Sequence, residues 1–408
     1  MEIGPRPIGS QANKTAADYI QSVFRAAELD VETQRFPCPD WKHEETRLEV
    51  DGHRLEAAAN WFSPPCDITA SSVALGTIAE LEAADLTGCI GIMYGDLTRE
   101  GLSPKGNKVY NPERHQKIIQ LLEEKNPAAL ITVNLTTHCL GRLIMDFDLP
   151  VPSATVPAEV GLALLRQSDQ TLHLRIASHQ SPGHSCNVVG TKAGAGPERI
   201  VLCAHYDTVL ETPGAIDNGS GVAVLLTLAR LLAKRELSVG LEFIAFSGEE
   251  GYGLGDEEYL RRYGLGIIPF GGEEKLPRHS EELGHILAAV NADGVGQRLG
   301  TNTITTLASS QPFKALVSGV KEKYPGVVWV DPWPASNHYT FYSHGVPSIA
   351  IGSVGVANVG HLPADTIKWI SSAKLSEVVS LVTNLVESLQ DKSLEWCRES
   401  KLNDEADN

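Results

Sequence analysis

The sequence predicts an α/β chain built on a mostly parallel mixed sheet, and three observations predict it. Residues 200–204 and 241–246 are short apolar runs of the kind buried on both faces of a parallel sheet. Between them Val222, Leu225, Leu226, Ala229 and Leu232 recur at helical spacing, with Asp217 or Ser220 as a cap. Strand, helix and strand over about forty residues make a βαβ unit. Finally, imidazole and carboxylate groups stand where these elements end: His205 and Asp207 after one strand, Asp217 before the helix, Glu249 and Glu250 after the other strand. Open α/β sheets form their sites beyond the carboxyl ends of the strands, where these residues fall.

The remaining elements follow in order. An irregular Pro- and Gly-containing start leads to a helix whose stripe is Ala16, Tyr19, Ile20, Val23, Phe24 and Ala27. From about 46 to 176 the composition shifts to short strands (47–50, 90–94, 129–133), turns rich in Pro and Asp, and a helix near 115–124. His115 and His138 in this stretch read as surface or structural residues. Residues 181–184 (Ser-Pro-Gly-His) link back to the main sheet, where 187–190 is a strand beside 200–204. The 251–285 stretch is Gly-rich and charged around a helix-like EEYLRRYG; His279 and His285 there read as solvated. Strand 286–290 ends at Asn291-Ala292-Asp293, helix 312–324 turns Phe313, Leu316, Val317 and Val320 inward, 348–351 is the last strand, and 374–389 is a closing helix. His361 and Asp365 lie in the loop before that helix. Residues 390–408 are polar and are predicted to fray.

With 408 residues the chain can form one large or two ordinary domains. Its charge of −17, from 34 basic and 51 acidic residues, disfavours nucleic acid and anionic membranes, both of which need basic surface. No apolar run reads as a membrane span, and no basic-then-apolar signal region follows Met1. Seven scattered Cys without a Cys-x-x-Cys pair favour a reducing compartment, so the chain is read as cytoplasmic. Cys203, inside a strand, reads as packing.

The strand-end residues suggest a divalent metal. Zinc takes imidazole nitrogen and carboxylate oxygen, and a carboxylate such as Asp217 can share its two oxygens between cations about 3.5–4 Å apart. Adjacent strand residues point to opposite faces. Glu249 and Glu250 therefore reach one site only if the chain bends, which Gly248 and Gly251 permit. One Glu could then bind metal while the other acts as general base. Singly, each of these residues reads as structural; their recurrence at three element ends reverses that reading.

Five ordered motifs carry a resemblance. They are His-x-Asp-Thr (205–208), Pro-Gly-Ala-x-Asp-Asn-Gly-Ser-Gly (213–221), Phe-Ser-Gly-Glu-Glu (246–250), Asn-x-Asp-x-x-Gly (291–296) and His-x-x-x-Asp-Thr (361–366). Together they resemble metallopeptidase family 28, the co-catalytic zinc exopeptidases that include bacterial leucyl aminopeptidases and glutamate carboxypeptidases. The resemblance covers roughly 180–390 and an N-terminal turn with Arg6, Gly9 and Ser10. It implies a three-layer αβα zinc-exopeptidase fold plus a β-rich inserted domain. The catalytic domain would be 1–45 with 178–395, the insertion 46–177, and the tail 396–408. Patterning in the insertion resembles a protease-associated domain, which would cover one side of the site.

The same resemblance assigns roles. Asp217 would bridge two Zn2+ ions, with Co2+ or Mn2+ as alternatives. His205 and Asp293 would complete one ligand set, Glu250 and His361 the other. Glu249 would activate a water shared by the metals and pass its proton to the leaving amine. Asp207 would orient His205, and Asp365 would do the same for His361. The Asp217-Asn218 peptide would be cis. Two departures stand out. Ser336-Asn337-His338 replaces the Ser-Asp-His that the family often carries, leaving His338 as either a substrate contact or a structural histidine. Gly360 replaces an aromatic residue before the last ligand.

The leading expectation is a zinc aminopeptidase acting on peptides. A carboxypeptidase or dipeptidase is the alternative, and it would need an Arg or Lys for the terminal carboxylate. Arg261, Arg262 and Arg298 are available for that role. A glutaminyl-cyclase-type acyltransferase and a catalytically inactive peptide-binding protein are further alternatives. The full ligand set argues against both.

Overall fold

The computed structural model of the chain describes residues 3–166, 170–269 and 281–398. It contains two compact units, Met1–Cys38 with His184–Asn408, and Pro39–Gly183. Both boundaries fall inside long strands, Asp30–Val50 and Thr171–Lys192, rather than at 45/46 and 177/178.

In the larger unit four parallel strands occupy the centre of the sheet, in the order Ser348–Ser353, Ile286–Ala292, Arg199–His205, Gly240–Phe246. Antiparallel strands flank them, Asn302–Leu307 on one side and the 188–192 stretch on the other. Every residue of Gly240–Phe246 and Ile286–Ala292 is buried, as expected of strands covered on both faces. Alternation along the strand divides the two helical layers. Phe243 meets Phe24 of the Gln11–Ala26 helix, whereas Phe246 meets Tyr259 of the Leu254–Arg262 helix and Phe341 of His338–Tyr342. The result is the three-layer αβα arrangement.

The helix after Asp217 is long and apolar enough over Ala215–Leu232 to match a membrane span by composition. Here its apolar stripe, Val224, Leu225, Leu228, Ala229 and Leu232, is buried in the core instead. From Arg199–His205 the chain crosses to Gly240–Phe246 on one side, then returns to lay Ile286–Ala292 on the other. The crevice between Arg199–His205 and Ile286–Ala292 is therefore a topological switch point, where open α/β sheets place their ligands.

The smaller unit holds four parallel strands, Cys66–Leu75, Ile90–Met93, Ala129–Val133 and Ser153–Val156, with Ala58–Ala59 antiparallel at the edge. Leu81 of the Ile78–Ala83 helix and Ile118 and Leu122 of Glu113–Lys125 complete its core with Leu75, Met93 and Leu130. The helices Ile78–Ala83, Glu113–Lys125 and Ala158–Leu165 accompany these strands.

Other expectations need revision. Leu394–Cys397 is a helix with Cys397 fully buried, and Arg398 donates to the carbonyls of Leu283 and Gly284. Order thus continues past the point where fraying was predicted; 399–408 lie outside the described residues. His285 is half-buried rather than solvated. His279 lies outside the described residues. His115 is buried and accepts from Ser103 N–H, the structural alternative, and His138 is exposed beside Glu159, the surface one, so neither of these two readings changes.

Candidate metal centre

The site grows from strand ends and the turns that follow them. His205 is the last residue of its strand, and its Nε2 lies 3.2 Å from Asp217 Oδ1 and 3.4 Å from Asp293 Oδ1. Its Nδ1 faces Asp207 Oδ1 at 3.6 Å. Asp293 directly follows Ile286–Ala292, so the switch-point crevice supplies two donors. On the far side of Asp217, His361 Nε2 lies 3.1 Å from Asp217 Oδ2 and 3.0 Å from Glu250 Oε2. Two donor groups result, His205–Asp217–Asp293 and Asp217–Glu250–His361, and they share Asp217. These are the five ligand positions named from the sequence.

The bend that brings both Glu residues here is real. Gly248 has φ +80°, a conformation other residues resist. Asp207 fixes the turn beyond it, accepting from Glu249 N–H at 3.3 Å and Glu250 N–H at 3.2 Å. Asp207 therefore braces the Glu pair as well as facing His205.

The Asp217 loop is held from three directions. Its peptide to Asn218 is cis, as the resemblance implied. Buried Asp365 accepts from Ile216 N–H at 2.7 Å and Asp217 N–H at 3.0 Å. The expectation that Asp365 orients His361 is thus corrected: it grips the backbone of the shared carboxylate. Asn218 ties the loop to the Asp293 turn, donating to Ala292 O at 2.9 Å and accepting from Gly294 N–H at 3.2 Å. Arg6 closes the rear by donating to the carbonyls of Tyr206, Pro213 and Gly214. No sequence pattern distinguishes the reach of Asp365 or Asn218, because both act on backbone groups brought near by the fold.

The electrostatics call for cations. Burial pushes the Glu249 carboxyl well above its usual range, and neighbouring Glu250, Asp293 and Asp207 push it further against the pull of His205. Burial also raises Glu250, against the pull of His361. Asp217 instead lies below the carboxylate range, because its bonds to His205 and His361 outweigh its burial. The His361 imidazolium form is favoured chiefly by Glu250. Glu250 Oε1 and His205 Nδ1 are buried without a hydrogen-bond partner. A donor set of imidazole and carboxylate, without thiolate, around such an orphaned oxygen fits Zn2+ and similar divalent ions.

Beside the donors lies a cleft of about 540 Å³ bounded by Asp217, Asp293 and His361 and by apolar Val330, Trp333, Val354 and Val356. His338 does not line it. That residue is fully buried, with Nε2 2.7 Å from Trp333 O and Nδ1 3.4 Å from Asn291 Nδ2, the geometry of the structural alternative. Gly360 does line the cleft. A Cβ there would stand 3.3 Å from Asp217 Oδ2, so the departure leaves the shared carboxylate uncrowded.

An α/β sheet whose strand ends and following turns gather imidazole and carboxylate donors forms a candidate metal centre. Comparison with known proteins narrows the class. Residues 187–386 match the model of Peptidase family M28. The chain is 28% identical over 397 residues to aminopeptidase YwaD of Bacillus subtilis, covering 94% of this chain and 81% of that protein. It is 30% identical over 263 residues to the probable lipoprotein aminopeptidase LpqL of Mycobacterium tuberculosis, of whose length it spans 51%. Its fold matches a solved zinc aminopeptidase from Bacillus subtilis, BSAP, with a TM-score of 0.75 at 26% identity, covering 97% of this chain and 94% of that one. Residues 187–386 thus belong to peptidase family M28.

Proposed function

We propose that this protein is a two-zinc aminopeptidase. The observation that carries the reading is the pair of three-residue seats sharing Asp217. His205, Asp217 and Asp293 would hold one ion, and Asp217, Glu250 and His361 the other. When bound, zinc supplies Lewis acidity toward a scissile carbonyl and makes water a better nucleophile near neutral pH. Glu249 stands close enough to Asp293, Glu250 and His205 to interact with each, yet it belongs to neither seat. Its carboxylate would take a proton from the attacking water and deliver it to the leaving amine. Asp207 positions Glu249 through its backbone N–H.

Amino-end specificity is supported by what the cleft contains. Among its described lining residues the ionisable groups are Asp217, Asp293 and His361; neither Lys nor Arg is present to hold a terminal carboxylate. Arg261 and Arg262 pair with Glu258, and Arg298 donates to Ile370 O. The acidic surroundings suit a substrate ammonium. The names of YwaD and BSAP, both aminopeptidases, point the same way. The Pro39–Gly183 unit is proposed to be protease-associated-like.

A pool of peptides blocked at one end or the other, incubated with zinc-loaded protein and followed by mass spectrometry, tests this. Chelator-sensitive shortening from free amino ends is expected. Shortening only from carboxyl ends would overturn the amino-end assignment, and no shortening would overturn the peptidase reading.

A further inference from the structure

A second cavity, of about 400 Å³, shares no lining residue with the cleft beside the metal seats. It lies between the Gln11–Ala26 helix and the two long strands, and its lining falls entirely in the larger unit. Lys14, Asp18 and Gln21 follow one another at helical spacing on one face of the helix. Thr33 and Arg35 share a face of the Asp30–Val50 strand, and His184 stands on the rim. The volume is that of a pocket for one small molecule, commonly about 300–1,000 Å³.

The charges around it do not satisfy one another. Among the described residues the side chains of Lys14, Asp18, Arg35 and His184 form no hydrogen bond or ion pair, although Lys14 and Asp18 stand one helical turn apart. Asp18 and Arg35 both act on the Cys186 thiol in the cavity wall. Burial chiefly raises that thiol and the Tyr206 hydroxyl opposes this, while Asp18 raises it further and Arg35 lowers it. Two fixed cations against one carboxylate leave the lining net positive in a chain of charge −17. Such a cavity concentrates small anions, and the lone Asp18 carboxylate calls for a cationic group on the same ligand. The floor is tied to the metal centre. Buried Asn13 donates through Nδ2 to Arg6 O at 3.2 Å and Ser247 Oγ at 3.1 Å. Buried Ser185 Oγ lies 2.7 Å from both Asn13 Oδ1 and Ser247 Oγ. Ser247 is two residues before Glu249.

We propose that this crevice is an effector site for a free acidic amino acid. Arg35 and Lys14 would take its two carboxylates and Asp18 its ammonium. Gln21 Oε1 already accepts from Arg25, which leaves the Gln21 amide N–H groups for the ligand, and Thr33 adds a hydroxyl. The single net negative charge of aspartate would balance the lining. An occupant would hold the wall above Asn13 and Ser185 and so steady Ser247 and the turn that carries Glu249.

Calorimetric titration of zinc-loaded protein tests this without turnover. L-aspartate should bind. Lys14→Gln and Arg35→Gln, both at exposed positions, should each weaken it about tenfold, the worth of one charge-assisted contact. Succinate, which lacks the ammonium, and asparagine, which lacks the second carboxylate, should bind about tenfold more weakly than aspartate. In Asp18→Asn the advantage of aspartate over succinate should disappear. Amide hydrogen exchange at 247–250 should slow when aspartate is added to wild type and should not respond in Arg35→Gln. Absence of binding would overturn the site, and aspartate binding unchanged in Arg35→Gln would place the ligand on the metal ions and overturn it equally. Succinate or inorganic phosphate binding as tightly as aspartate would reduce the crevice to an unselective anion patch. Binding without altered exchange at 247–250 would remove its link to Glu249. Protein that binds aspartate here yet shortens no peptide would refute the aminopeptidase reading and leave the effector site standing.

Discussion

The two proposed metal seats share one carboxylate but are built differently. His205 and Asp293 come from the ends of adjacent parallel strands, and their side chains are 1% and 16% exposed. Behind them Asn218 joins the Asp217 loop to the Asp293 turn, and Asn291, Ser336 and His338 brace the strand beneath. Glu250 and His361 come from loops. His361 is 51% exposed and sits at φ +60°, between Gly360 and Leu362. One seat is preformed by the sheet and the other is assembled by turns. Donors of the same chemical types can thus differ in how firmly they are held, and firmness is set by the elements behind the ligands.

The sharpest way to break this picture is through the residue that belongs to neither seat. Glu249→Gln preserves shape and removes the proposed base. Activity should fall by roughly 10²–10⁴-fold, with metal content by atomic absorption unchanged. Loss of metal together with activity would make Glu249 a ligand and dissolve the division into two seats.

Acid should loosen the sheet-built seat in particular. Burial holds His338 neutral and takes its pKa from 6.5 to about 4. Protonated, its Nδ1 would become a donor facing the Asn291 donor. The folded pKa is depressed, so the stability associated with a neutral His338 is fully present above the unfolded value of 6.5 and is lost as pH falls through about 4. At 1.36 kcal/mol per pH unit the loss is about 3 kcal/mol. Denaturant melts from pH 7 to 4 should therefore converge for wild type and His338→Gln, since only the wild type carries this slope. Parallel curves would mean that His338 is accessible to solvent protons at little cost.

The five donor residues that the structure brings together, and Glu249 beside them, are legible in the sequence because strand ends, a helix start and a Gly-flanked Glu pair mark themselves locally. The same local reading found the central strands to within a residue or two: Ala129–Val133 falls where the apolar run does, and the 241–246 run became Gly240–Phe246. What it missed acts at long range. Asp365 is 148 residues from the backbone it grips at Asp217, and His338 is 47 from Asn291. In the sequence each is an ordinary polar residue near a motif. Their partners exist only after the sheet has folded, so Asp365 was given the nearer partner, His361. The long strand Asp30–Val50 was missed for a related reason. Its inward positions Gln34, Phe36 and Cys38 alternate as a strand should, but Gln and Cys weaken the apolar signal.

Asp365 tests whether the shared carboxylate is what couples the seats. Asp365→Ala leaves the buried N–H groups of Ile216 and Asp217 without an acceptor while touching no metal donor. Outer partners of this kind are worth about 10–100-fold in metal affinity, and both seats should weaken together because Asp217 serves both. Competition with a fluorescent chelator measures this. Weakening of the His361 seat alone would restore the original assignment of Asp365 to His361 and uncouple the seats.

The smallest expected effect discriminates most finely between sheet-built and loop-built ligation. Under graded chelation the ion at Glu250 and His361 should leave before the ion at His205 and Asp293, because a half-exposed imidazole on a loop can turn away from its partner without disturbing the sheet. The separation should be several-fold to about tenfold in chelator concentration, the span of one outer contact. His361→Ala should convert the two-step release to one step, with the surviving step at the tighter position, whereas His205→Ala should leave only the weaker one. Asp217 belongs to both donor groups, so loss of an ion from the outer seat would free its carboxylate for the inner one, and the inner seat should tighten as the outer empties. Simultaneous release in wild type would show instead that this bridge, rather than the strands behind His205 and Asp293, sets the affinity of both ions.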